Sequence, residues 1–64
     1  MTTSFIETSI KSYQMRRENA DKRARHHIDR HEYALAASAL AEAAGYQSAI
    51  NELEFLIECK EVEA

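Results

Sequence analysis

Apolar residues recur at intervals of three and four along most of this chain. Ile6, Ile10, Tyr13, Ala20, Ala24, Ile28 and Leu35, with neighbouring alanines, follow the helical period. Ser4-Phe5-Ile6-Glu7 reads as a capping box at the start of the first helix. Nothing interrupts the pattern before Gly45, which follows "SALAEAA", and glycine is the preferred residue just past a helix end. The spacing therefore predicts an all-α, two-helix hairpin, a single domain over residues 1–64. It has a long helix 1, a turn at Gly45, and a shorter helix 2 from about Tyr46 to Val62.

The unequal lengths have a consequence. At ~1.5 Å per residue helix 1 would be roughly 60 Å long and helix 2 roughly 25 Å. Helix 2 then covers only the C-terminal half of helix 1, and Phe5, Ile6, Ile10 and Tyr13 lack an intramolecular partner. Either helix 1 breaks near Asn19-Ala20-Asp21, where Asn19 or Asp21 could cap a new helix, or a second chain covers it. The absence of Gly and Pro there favours a continuous helix. Helix 2 points the same way. Tyr46, Ala49, Ile50, Leu53, Leu56 and Ile57 share one stripe, and Phe55, Cys59 and Val62 form another on the opposite side. A helix with one neighbour needs one apolar stripe, so a second stripe predicts a homodimer and a helical bundle. The expected hairpin and dimer core is Ile6, Ile10, Ile28, Leu35, Leu40, Ile50, Leu53, Phe55, Leu56 and Ile57.

Composition agrees. The 64 residues include one glycine and no proline, which suits helices and argues against strands. A chain this short has a marginal core, and its lone cysteine, Cys59, allows no internal disulfide. No apolar run approaches the ~18 residues of a membrane span, and the opening residues lack the charged and apolar regions of a signal peptide. The expectation is a protein of a reducing cytoplasm.

Charge adds one distinctive feature. The net charge is -3, yet "MRRENADKRARHHIDRHE", residues 15–32, holds six of the eight Lys and Arg and all three histidines. Arg16, Arg23 and Arg30 are spaced by seven on one side of helix 1, with His27 between them. This stripe could follow phosphates, and a nucleic-acid-associated regulator is the alternative functional reading. Against it, Glu18, Asp21, Asp29 and Glu32 are interleaved, as on a solvated, salt-bridged helix surface. The segment "ALAEAAGYQSAINEL" superficially resembles a helix-turn-helix. Asn51 and Glu54 occupy its expected apolar positions, and Glu52, Glu54, Glu58 and Glu61 would repel a phosphate backbone. Nucleic acid is thus an unlikely partner. His27 and His31 are four apart, but with only Cys59 and Glu32 nearby they fall short of a convincing metal set. No metal or other cofactor is expected. A two-helix chain encloses no pocket for catalysis, so no catalytic residue is assigned.

The opening "MTTSFIETSIKSYQMRRENADKR", together with the chain length, resembles the small early-region proteins of lambdoid phages encoded between the exonuclease and excisionase genes. The resemblance covers the whole chain as a general likeness. It implies an early, non-enzymatic factor in the host bacterial cytoplasm, acting on the lysis–lysogeny choice or on host physiology. It assigns no site residues. The function expected is a protein–protein interaction module that engages a host or phage protein. Its exposed half of helix 1 would present Tyr13, Arg16, Arg23, His27 and Arg30 to that partner.

Overall fold

The computed structural model describes residues 3–63, and the side chains of residues 4–59. It contains two helices, α1 (Thr3–Asp29) and α2 (Tyr33–Glu63), folded against each other as a hairpin. The molecule is a rod, 50 × 14 × 12 Å along its principal axes. The all-helical hairpin is as the spacing predicts, but the turn is not. The chain reverses at residues 30–32, and Gly45 lies inside α2 with no positive φ. Helix 1 is therefore the shorter arm, 27 residues against 31.

The turn is built around His31, whose φ of 61° places it in the left-handed region. Histidine is among the residues that tolerate this conformation better than most. The backbone closes in the Schellman pattern. Glu32 N–H donates to the His27 carbonyl at 2.8 Å, and His31 N–H donates to that of Ile28 at 3.0 Å. Glu32 then starts α2, its carbonyl accepting from Ala36 N–H at 3.0 Å. At the other end α1 begins at Thr3, so Ser4 is inside the helix rather than its cap, and its carbonyl accepts the Thr8 hydroxyl at 3.0 Å.

Burial explains why the chain turns at His31 and not at Gly45. Glycine within a helix costs about 1 kcal/mol relative to alanine, and a left-handed non-glycine residue costs about 1–2 kcal/mol. Both are small beside the gain from arms of nearly equal length. With the turn at 30–32, α2 runs beside the whole of α1, and the N-terminal half of α1 needs neither a break at Asn19-Asp21 nor a second chain to cover it. α1 is continuous through those residues. The buried seam consists of Ile6, Ala20 and Ala24 from α1 and Ala36, Ala39, Ala43 and Ile50 from α2. Five of these seven are alanines, which lets the helices approach closely, and among the described residues Ile50 is the one large side chain that is fully buried. The alanine-rich segment is thus half of a tight seam as well as good helix-forming material.

Of the expected core, the structure buries Ile6 and Ile50 and half-buries Ile10, Leu53 and Ile57. Ile28, Leu35, Leu40, Phe55 and Leu56 lie outside the seam and are exposed. The displaced turn is the reason. It rotates which residues of 33–44 face the other arm, so alanines take the seam and leucines turn outward. Val62, expected on the second stripe, falls outside the described side chains.

A simple substitution distinguishes the two turn positions. A Cβ built on Gly45 meets nothing within 4 Å. Measured on the monomer, Gly45→Ala is therefore expected to stabilise the hairpin by up to about 1 kcal/mol, read as a higher urea midpoint. A glycine at a left-handed turn would instead be destabilised by the same change.

Candidate interaction surface

The basic stretch supplies the C-terminal half of α1 and the turn, and α2 lies beside it. Several of its charges are engaged within the hairpin. Arg23 Nη2 donates to Glu42 Oε1 at 3.0 Å across the two helices. Glu32 Oε1 receives Arg30 Nε at 3.3 Å and lies 3.2 Å from His27 Nδ1, gathering the three side chains at the turn. Arg17 donates to Gln47 Oε1, and Gln47 in turn donates to Asn51 Oδ1 at 2.9 Å. Tyr13 is half-buried, its ring 5.9 Å from that of Tyr46, with the Arg16 guanidinium 5.6 Å above it. These cross-helix contacts set the antiparallel register.

Of the expected partner-facing set, Tyr13 and Arg16 lie together and His27 and Arg30 meet at Glu32, while Arg16, Arg23 and Arg30 remain exposed. Tyr13 sits against α2. Arg23, Arg30 and His27 face carboxylates, and Arg16 lies over an aromatic ring. His31 is the exposed turn residue, and its Nδ1 lies 2.9 Å from the Tyr33 hydroxyl. Among the described residues no three His, Cys, Asp or Glu side chains come together in a metal-binding group. Because residue 45 is helical, segment 39–53 contains no turn, which removes the geometry a helix-turn-helix requires.

The Arg23–Glu42 pair has a pH signature. The hydrogen bond from Arg23 holds the Glu42 carboxyl below its ordinary 4.5, against the opposing effect of lost hydration, and Tyr46 adds a second hydrogen bond at 3.2 Å. Reciprocally, the bond to Glu42 raises Arg23 above its ordinary value. A depressed carboxylate pKa stabilises the fold above the unfolded-state value and ceases to do so as pH falls through the folded value. Wild type and Glu42→Gln are therefore expected to differ slightly at neutral pH and to converge in acid, below 4.5, in pH-dependent thermal melts. The pair is exposed, so the difference is small.

What the hairpin leaves unexplained is the outside of α2. Tyr33, Leu35, Leu40, Phe55 and Leu56 are all exposed there, Phe55 at 62% and Leu40 at 49%. At about 100° per residue these side chains, with Ala34, Ala37, Ala41 and Ala44, surround the helix rather than line one stripe. Asn51, Glu52, Phe55 and Leu56 form a shallow, largely apolar depression on the side away from α1. Tyr33 was not singled out by periodicity because the expected turn placed it mid-helix. The available signal was the persistence of three-and-four spacing through Gly45.

No family model matches the chain, and neither a curated protein nor a solved structure matches it. The fold and its surface define the class: an antiparallel helical hairpin with one mostly polar arm and one arm whose exposed surface mixes large apolar side chains with Glu42, Glu52, Glu54 and Glu58. No helix among the described residues is long and apolar enough to cross a membrane.

Proposed function

We propose that this chain is a non-enzymatic protein–protein interaction module that presents the outer surface of α2 to another helix. The observation that carries it is the set of large apolar side chains that α2 exposes, Tyr33, Leu35, Leu40, Phe55 and Leu56. Apolar residues spread beyond one stripe call for more than one neighbour, and α2 has one, α1, among the described residues. The exposed side chains are large and clustered toward the two ends of α2, the form in which helix-on-helix recognition places its anchors. A rod with a cross-section of 14 × 12 Å offers groove-like contacts rather than an enclosed reaction chamber. The likeness of residues 1–23 to the lambdoid-phage early proteins adds a host or phage protein as target and regulation in the bacterial cytoplasm as outcome.

The test is site-specific photo-cross-linking in cells. A photoreactive phenylalanine analogue in place of Phe55 is expected to give covalent protein adducts, and the same group at exposed Lys11 is not. Absence of adducts from position 55 would overturn the proposal.

A further inference from the structure

We infer that the back of α2 is the contact with a second copy of this chain, packed antiparallel about a two-fold axis near Ala44 and Gly45. The inference rests on the reading of α2 as an interaction surface and names its partner. Three observations support it independently.

The first is area. A folded monomer of this mass, 7.3 kDa, is expected to expose about 4,200 Å². The hairpin exposes 4899 Å². The excess, about 700 Å², follows from the elongated 50 × 14 × 12 Å shape, which leaves a long face open to a partner.

The second is shape. Tyr33 and Leu56 lie equally far from the midpoint between Ala44 and Gly45 along α2. Antiparallel pairing about that midpoint sets Tyr33 of one copy over the depression formed by Asn51, Glu52, Phe55 and Leu56 of the other. The two-fold axis repeats the contact at the far end, as an isologous interface requires. Between these anchors the face carries Ala41, Ala44, Gly45 and Ser48, all exposed. Small residues at the crossing allow the backbones to approach. Gly45, a helix-weakening residue that nothing in the hairpin requires, is accounted for by that approach.

The third is charge. The turn half of the rod, residues 15–45, carries six Lys and Arg against five Asp and Glu. The open half, residues 4–14 and 46–59, carries Glu7, Glu52, Glu54 and Glu58 against Lys11 alone. The six Lys and Arg lie on α1 and the turn, away from the contact, and along α2 itself antiparallel packing keeps Glu52, Glu54 and Glu58 of one copy apart from those of the other. Parallel packing would set the two acidic ends together, which is repulsive.

Sedimentation equilibrium at micromolar concentrations tests the inference, with circular dichroism as the control for folding. The wild type is expected to be a dimer. Gly45→Gln, which suits a helix but fills the crossing, and Phe55→Glu are expected to raise the dissociation constant about tenfold or more while helicity is retained. Ala44→Cys in a Cys59→Ser background is expected to form a disulfide-linked dimer under mild oxidation, since the residue nearest the axis meets its own copy. A monomeric wild type overturns the inference, as does a dimer indifferent to Gly45→Gln and Phe55→Glu. A dimer that cross-links through native Cys59 but not through Ala44→Cys overturns the antiparallel arrangement. A monomer that still gives adducts with another protein from position 55 leaves the interaction-module reading standing. A monomer that gives none removes both.

Discussion

Ile50→Asp is expected to unfold the hairpin, and Ile50→Ala to remove much of its stability. Ile50 is 1% exposed and is the only large side chain among the described residues that is fully buried. Its neighbours in the seam are mostly alanines, each contributing one methyl group. Truncating a buried isoleucine to alanine costs about 2–5 kcal/mol, part lost transfer and part cavity. A domain of this size has a total stability of roughly 3–10 kcal/mol. Burying an aspartate carboxylate with no partner costs more than the truncation, because the charge loses its hydration and gains nothing in return. Urea titration followed by circular dichroism measures both. The matched comparison is Leu56→Ala, which lies outside the seam at 52% exposure. Measured on the monomer, it is expected to change stability by well under half as much. Equal losses from the two substitutions would show that the seam is drawn through the wrong face of α2.

Ala24→Leu tests the other half of that seam. Ala24 is 1% exposed and Ala20 is 0% exposed on α1. They lie on the seam with Ala36, Ala39 and Ala43 from α2. Helix separations vary with the side chains at the contact, and small ones permit the shorter distances. Leucine at position 24 forces the arms apart or drives its neighbours from their preferred rotamers. The usual cost of such overpacking is about 1–3 kcal/mol, and at about 4–8 °C per kcal/mol for small domains the melting temperature should fall by roughly 5–20 °C. Alanine and leucine are both strong helix formers, so the loss reports packing and not propensity. Gln14→Leu, exposed on the same helix, is the control and is expected to stay within about 0.5 kcal/mol. An unchanged melting temperature for Ala24→Leu would mean that the helices are not in close contact there.

The sequence alone determines that this chain is helical, that it folds back once, and that its apolar residues exceed the needs of one seam. Three-and-four spacing, abundant alanine and the absence of proline encode these properties locally, in backbone preference and side-chain periodicity. The place where the chain turns is a different kind of property. Locally, Gly45 is the better helix terminator and His31 the worse one, a difference on the order of 1–2 kcal/mol. That preference is overruled by the apolar surface buried when two nearly equal arms cover each other from end to end, a gain that no window of neighbouring residues contains. Once the turn moves to His31, the alanines of residues 36–43 take the seam, and Leu35 and Leu40 face out of it. Which apolar residues form the core and which are left facing outward is decided by tertiary packing, because hydrophobic burial depends on what lies opposite a residue and not on what lies beside it in the chain.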